Sequence, residues 1–550
     1  MIMAVFEDKK TGLWSAGILL LLLFALTFPL WHLGDREMLG LEGELAVAAT
    51  EMSGSELAPT THGYLSGTPP LFLWLAKCFS LSGIPLLYVL RGLSILSYFI
   101  LTALVFFVCR RNCGVQAAGA AAAVMISTLV VFDKLPFGSP VALTALLLYG
   151  GWIAWIELTL RRSNWNLAWI VAGVFGTLIY CNAGFTGLIY FFVPLFLQRR
   201  PLTVWPKIGH AGLYYGALMI VGTALTLWYF QSNIPPAPDS QLAAEMTTGD
   251  YLMKVLLFPF FAFIRLLPWS IFLWAPFCAA LIPLQDNPLF GKFHRILFIV
   301  LLVLLWFAPA SSSRDLFYLM PLIATMIGSF YWIIVRRYGE KICSVSCLYA
   351  WCLLAATVLA ALFLFLPVEI LSEILRKVNL GSLLEVRQSA LPLWYSIPEL
   401  LVPAAVVFAV LLCRRRISCW LVICMLFCGT MLLYSSVRAP YLRTQNEKQF
   451  FAGKLQNIFE TQNLDHEKEV IYTNINGLYA EGFYTGYRFL YTDTENVPEE
   501  KTVIYLLTAK TPLDPSRSWN QIAETEYKGQ RLFIYKGQLN RSEDDYDNEI

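Results

Sequence analysis

Charge is what this chain of 550 residues has least of. Asp, Glu, Lys and Arg together make 14% of it, where a soluble globular domain carries about a quarter. That shortage excludes an ordinary soluble enzyme. The two signs nearly cancel, at a net +2, so no basic field invites nucleic acid. Histidine is scarce too, with five in the chain and none at metal-ligand spacing; His62 reads as a loop residue. Cysteine is absent from 31–70 and from 436–550, which removes disulfides from both large polar stretches. Cys343, Cys347 and Cys352 share helical spacing, but they open an apolar run, where small apolar filling outweighs metal binding. There is no internal repeat and no matched pair of Gly/Pro-broken helices, and that argues against a transporter. No small-residue cleavage site follows the first apolar run, 13–31, which therefore reads as a span rather than a removable signal.

What remains is grease: 57% hydrophobic residues and 17 Trp. About thirteen runs have the length that a bilayer core demands of a helix, near 13–31, 85–109, 115–132, 138–159, 166–181, 184–198, 211–230, 255–283, 294–310, 316–335, 346–367, 398–413 and 417–435. Short cytoplasmic loops should carry the cations. With Lys9-Lys10 inside, alternation puts Arg110-Arg111, Arg161-Arg162, Arg199-Arg200, Lys292/Arg295, Arg336-Arg337 and Arg414-Arg415-Arg416 inside as well. An odd number of spans then leaves the amino terminus cytoplasmic and the tail outside.

The tail, 436–550, is polar. It holds strand-like runs at Glu469–Thr473, Lys501–Leu507 and Arg531–Tyr535, an amphipathic helix at Asn446–Phe459 and an acidic end. The expected architecture is an α-helical polytopic membrane protein, residues 1–435 with an outer loop at 31–70, followed by a small extracytoplasmic α/β domain at 436–550.

The outer loop gathers Asp35, Glu37, Glu42, Glu44, Glu51 and Glu56. Leu41–Met52 reads as an amphipathic helix, with Leu41, Leu45, Ala48, Ala49 and Met52 on one side and Glu44 and Glu51 nearer the other, so both glutamates could be no more than its solvated face. Arg91 follows the apolar run 84–90, where a charge is costly unless it faces a cavity or snorkels. Arg265, within 260–267, suggests a polar cavity or a re-entrant bend at Pro259 and Pro268. Arg314 and Tyr318 begin a span and suit either a site or an interfacial anchor.

Several of these stretches have a familiar frame. Gly34-Asp35-Arg36, Leu41–Met52 (LEGELAVAATEM) and Gly67–Leu75 (GTPPLFLWL) resemble the first outer loop of the polytopic GT-C glycosyltransferases, in particular the group that contains the lipid A aminoarabinose transferases and the protein mannosyltransferases. Val89–Ser94 with Cys109-Arg110-Arg111, Leu267–Ser270 and Ser313–Pro321 resemble later motifs of the same group, in the same order. The resemblance implies a bacterial inner-membrane enzyme of the GT-C fold that moves a sugar from a polyprenyl-phosphate carrier to a lipid, such as lipid A of lipopolysaccharide, or to another cell-envelope acceptor on the outer face. It implies an outer-loop carboxylate as base (Glu42, or Asp35 or Glu44 after a local shift), with Arg91, Arg265, Arg314 and Tyr318 for the carrier phosphate and Asp133 as a second acid. A divalent metal is compatible with the group, but no ligand set stands out.

The departures from the family pattern are specific. Leu41 stands where relatives have Asp, Glu44 where they have Arg, Gly67-Thr68 where they have Glu-Lys, and Asn182-Ala183-Gly184 where they have Lys-Gly-Pro. The second acidic position falls on Ser139-Pro140, with Asp133 slightly earlier. An acceptor that is itself a phosphate would be ionised already and need only a weak base. The substitutions also leave open a catalytically degenerate relative that serves as a scaffold or binds the carrier lipid.

Overall fold

The computed structural model describes residues 33–34, 37–52, 58–160, 162–198, 211–234, 248–309, 312–365, 446–464, 469–475, 477–492, 503–509, 517–527 and 529–539, with scattered positions between 401 and 433. The chain divides into two compact units. One comprises Met1–Arg36, Tyr88–Thr223 and Met246–Gln445, and the other Glu37–Leu87, Ala224–Glu245 and Asn446–Ile550.

The first unit is helical and builds a multi-pass membrane protein. Among the described residues seven helices are long and apolar enough to cross a bilayer: Leu86–Cys113, Val141–Leu160, Trp165–Phe196, Ala211–Gln231, Pro288–Phe307, Ser313–Ile342 and Ser344–Leu362. An eighth crossing results if Thr248–Arg265 and Trp269–Phe277, bent by 101° to each other, form one span. The expected spans at 13–31 and, for the most part, at 398–413 and 417–435 lie outside the described residues. The expected span 115–132 is broken into Val115–Ile126 and Leu129–Lys134. Its first part, 12 residues long, reaches only about 18 Å, because Ser127 and Thr128 turn their hydroxyls back onto the carbonyls of Ala123 and Val124.

Trp165–Phe196 is a hairpin of two helical legs rather than a rod. In a straight helix Trp169 and Phe196 would stand about 40 Å apart; instead their rings stack at 5.6 Å. The chain reverses at Gly184, whose φ of 62° and ψ of −155° belong to a region open essentially to glycine alone. Trp152 donates its indole N–H across to the Phe191 carbonyl at 3.0 Å, which fastens the returning leg to Val141–Leu160.

Between lipid-embedded helices there is little hydrophobic drive, so close backbone approach has to hold them. Gly212 and Gly216, four apart on Ala211–Gln231, provide it. A Cβ on Gly216 would lie 2.7 Å from the Trp169 carbonyl oxygen, and one on Gly173 only 2.4 Å from the Gly216 Cα. Buried hydroxyls and an amide add polar ties: Tyr149 Oη meets Thr325 Oγ1 at 2.9 Å, and Asn182 Nδ2 donates to Thr144 Oγ1 at 2.8 Å.

The second unit carries a five-stranded sheet, β4-β3-β5-β7-β6, from β3 (Val470–Thr473), β4 (Arg488–Tyr491), β5 (Val503–Thr508), β6 (Arg517–Tyr527) and β7 (Gln530–Leu539). β3 pairs in parallel with β4 and β5, while β5–β7 and β7–β6 are antiparallel. Alternation along β5 sends Tyr505 and Leu507 to one face, against Phe451, Leu455 and Phe459 of helix Glu447–Thr461, and Ile504 and Leu506 to the other. The expected runs at 469–473, 501–507 and 531–535 coincide with β3, β5 and β7; β4 is only four residues long, and β6 carries too many polar residues to announce itself.

Helix Glu42–Glu51 belongs to this second unit and corrects an expectation. It is buried nearly all round, with Glu42 at 0% exposure and Leu41, assigned above to its apolar face, at 49%. The cause is Gly43, which lets helix Tyr479–Thr485 approach so closely that a Cβ would meet the Ala480 amide nitrogen at 2.7 Å.

A side chain at Gly173 or Gly216 should separate two membrane helices, whereas Gly222, whose Cβ would meet nothing within 4 Å, tolerates one. Gly216→Val is expected to lower the thermal unfolding midpoint of the detergent-purified protein by several degrees and Gly222→Ala to leave it unchanged. Equal midpoints for both variants would contradict the packing described here.

Candidate functional site

The first unit assembles cations around one connector. After Val115–Ile126 the chain turns, and the Leu129 amide donates to the Leu267 carbonyl at 3.0 Å while the Trp269 indole donates to Ser127 Oγ at 3.0 Å. These two bonds pin the short helix Leu129–Lys134 against the bend that follows Arg265. Asp133 is thereby set between two cations: it pairs with Arg265, and with Lys134 Nζ at 3.1 Å, its side chain only 3% exposed. Arg265 also lies over the Phe261 ring at 5.1 Å.

Four residues on, Phe137 presents its ring to Lys134 at 5.8 Å and to Arg314 at 5.6 Å, an arrangement in which the ring quadrupole stabilises each cation. Arg314 is delivered by the turn Ser313–Tyr318. There Ser312 caps the Arg314 amide, and Asp315 returns the bond by accepting from the Ser312 amide at 2.6 Å. Asp315 is thus engaged with Ser312, Tyr318 and the field of Lys254. Tyr318 bonds Thr144 and lies against Tyr190, ring centres 5.8 Å apart. Lys134 and Arg265 therefore meet the Asp133 carboxylate, and Arg314 joins them through the Phe137 ring, with Asp315 on its own turn. A half-buried group with that surplus suits an anion with several oxygens.

Arg91 lies beside this group. Ser94 Oγ donates to the Ser139 carbonyl at 2.7 Å and accepts from its amide at 2.9 Å, and Gly138 leaves no room for a Cβ against Leu90. Arg91 itself is fully buried and donates to the Leu33 carbonyl.

The acidic candidates Glu42 and Glu44 sit in the second unit; Asp35 lies outside the described residues. Glu42 is fully buried and accepts from the Leu39 amide at 3.1 Å, at the start of its own helix. Glu44 accepts from Ser66 Oγ at 3.1 Å, and Ser66 in turn meets Thr68 Oγ1 at 2.7 Å. Burial raises the Glu44 carboxyl above its ordinary value, and the Ser66 hydroxyl only partly opposes this.

Glu51, not singled out by the sequence, clamps a turn. β1 (Thr60–Thr61) and β2 (Tyr64–Leu65) are joined by His62 and Gly63, at φ 54° and 83°, the two positive values of a type I′ turn. The Glu51 oxygens accept one amide each, from His62 at 2.8 Å and Gly63 at 3.2 Å. His62 is buried under Tyr479, ring centres 4.9 Å apart, and burial lowers its pKa to about 4.

Sequence reasoning thus placed Asp133, Arg265, Arg314 and Tyr318 on elements that meet, and overlooked Lys134. Its signal was available: a lysine next to an aspartate in a connector between apolar runs. Among the described residues no group of three or more His, Cys, Asp or Glu could hold a metal ion.

No family model and no curated protein matches this chain. Solved structures do. ArnT from Cupriavidus metallidurans, a lipid A aminoarabinose transferase, superposes in its apo state with a TM-score of 0.68 at 14% identity, covering 95% of this chain and 98% of that one. Its undecaprenyl phosphate-bound structure gives 0.66 at the same identity and coverage. The chain has the GT-C fold. The helical, multi-pass scaffold expected from the resemblance is observed, and the cations near Asp133 and Phe137 lie within it.

His62 makes the stability of the second unit depend on pH. Its folded pKa, about 4, lies below the roughly 6.5 of an unfolded histidine, so below pH 6.5 the unfolded state binds a proton that the folded state refuses. Stability is therefore lost as pH falls from 6.5 towards 4. Glu44 and Glu51, both raised by burial, act in the opposite sense and are common to parent and variant. His62→Asn, which tolerates the left-handed backbone, should flatten the decline; parallel unfolding midpoints of the two proteins from pH 7 to pH 4.5 would show that His62 is not its source.

Proposed function

We propose that this chain is a bacterial inner-membrane glycosyltransferase that takes a sugar from a polyprenyl-phosphate carrier and passes it to a lipid or other cell-envelope acceptor at the outer face, with its amino terminus cytoplasmic and its tail domain extracytoplasmic. The observation that carries this reading is the group of Lys134, Arg265 and Arg314 around Asp133 and Phe137. A GT-C fold whose ArnT example binds undecaprenyl phosphate supports it.

In the reaction the acceptor oxygen forms a bond to the anomeric carbon as the bond from that carbon to the phosphate oxygen breaks. The electron pair stays with the departing polyprenyl phosphate, whose charge grows through the transition state. Arg265, Arg314 and Lys134 stabilise it, and Tyr318 braces the turn that carries Arg314. The acceptor's proton goes to a carboxylate. The resemblance implies an outer-loop glutamate for this role: burial raises the proton affinity of Glu44, and Glu42 accepts from the Leu39 amide. Asp35 remains a second acid for the step. Arg91, buried and bonded to the Leu33 carbonyl, holds the backbone next to the phosphate group rather than the phosphate.

A second reading, a carrier-lipid binder without transferase activity, is favoured by one observation: Glu42 and Arg91 are both fully buried and tied to backbone. The two readings part in a single assay of purified protein supplied with a polyprenyl-phosphate sugar and bacterial membrane lipids. A transferase releases free polyprenyl phosphate, and a binder retains the donor intact.

Arg314→Ala is expected to raise the donor concentration for half-maximal release about tenfold or more, the usual loss of a charge-assisted contact. Glu44→Gln should lower turnover by about two to four powers of ten at unchanged donor binding. Turnover equal to the parent in Glu44→Gln would remove it as the base, and unchanged donor dependence in Arg314→Ala would remove the phosphate role.

A further inference from the structure

Away from the cation group, the first unit holds an apolar cavity of about 550 Å³. One wall is a single helical stripe, Tyr338, Lys341, Ile342, Val345, Ser346 and Tyr349, at the three- and four-residue spacing that puts side chains on one face. The opposite wall is the bent segment around Pro268 and Trp274, with Phe427 closing one side. Aromatic pairs brace it: Trp274 meets Tyr338 edge-on at 5.6 Å, and Tyr349 stacks on Phe427 at 5.9 Å while bonding Thr430 Oγ1 at 2.7 Å. Val345, one of its lining residues, is 67% exposed.

The stripe carries its own marker of depth. Arg336, Arg337 and Lys341, against Glu340 alone, fall between the apolar stretches Ser313–Ile342 and Ser344–Leu362. Three cations are too costly to hold in hydrocarbon, so this part of the helix lies at the headgroup level. Lys341 belongs both to the charged cluster and to the cavity wall, and the rest of the lining is mostly apolar. A methylene occupies about as much room as a water molecule, ~30 Å³, which makes the cavity the size of one acyl chain.

We propose that this cavity binds one acyl chain of an anionic membrane phospholipid, with its phosphate on Lys341 and the neighbouring arginines. Basic pockets between membrane helices recognise anionic headgroups in this way. The inference stands apart from the transferase reading and requires no catalysis.

The test uses purified full-length protein in nanodiscs of equal phosphatidylglycerol and phosphatidylcholine, moved into detergent, with retained lipid counted by native mass spectrometry. Phosphatidylglycerol should be retained over phosphatidylcholine by about fivefold, the preference one interfacial cation confers. Lys341→Gln should bring the two lipids towards equality. Val345→Trp, which fills the cavity, should lose the retained lipid while its unfolding midpoint stays within a few degrees of the parent. No retained lipid in the parent, equal retention of both lipids, or retention undiminished in Val345→Trp overturns the proposal. So does displacement of phosphatidylglycerol by added polyprenyl phosphate, which would make the cavity part of the carrier's path.

Discussion

Asp133 is the constraint around which the first unit's polar chemistry is arranged. A carboxylate 3% exposed in a chain this apolar is untenable without cations, because an unpaired buried charge costs several kcal/mol. Arg265 and Lys134 meet that requirement, and to do so the bend after Arg265 has to lie against the short helix that carries Asp133. The Leu129–Leu267 and Trp269–Ser127 bonds hold the same two segments together from the backbone and indole sides. With the bend fixed, Phe137 is available to Arg314, and a third cation joins the group. The need to neutralise Asp133 thus brings together segments that also carry Arg314 and Asp315.

The second unit solves a related problem with the roles reversed. There the carboxylates are structural clamps: Glu51 closes the His62-Gly63 turn with both oxygens, and Glu42 satisfies an amide at its own helix start. Glu44 differs in kind. Its recorded partner is a hydroxyl, itself shared with Thr68, so its proton affinity is set by burial rather than by fixed N–H donors. Burial raises the proton affinity of both Glu44 and Glu51, and it is opposed by two backbone amides at Glu51 but only by a hydroxyl at Glu44. Physical environment, more than position in a motif, distinguishes the three glutamates.

Much of the helical scaffold was legible because membrane spans are long, apolar and punctuated by basic loops. The reversal at Gly184 was legible too, as the gap between runs ending at 181 and beginning at 184. The helix at 42–51 agrees with the expected helix at 41–52, but not with a solvated acidic face, since Glu42 is buried and Leu41 exposed. Periodicity reports which residues are apolar; it does not report that Gly43 admits a second helix and buries the polar side as well. β6 went unread since an edge strand of charged and polar residues carries no period-two apolar pattern. Lys134 was missed for another reason: attention went to cations deep in apolar runs, where a charge must be explained, and a lysine in a connector demands no explanation until Phe137 and Arg314 are found beside it.

That the GT-C fold survives at 14% identity follows from what holds it. Helix pairs in lipid need small residues at a few crossings, such as Gly173 against Gly216, and a few buried hydroxyl or amide bonds, such as Tyr149–Thr325 and Asn182–Thr144. Neither demand fixes most of the sequence, so apolar residues can be exchanged freely along every lipid-facing stripe. Asn182 illustrates how far this reaches. The frame of the GT-C resemblance has a lysine at that position; here an amide occupies it and spends its donors on Thr144 and the Pro140 carbonyl. Asn182 is thus a structural tie between two helices, and Lys134 provides positive charge from a different element.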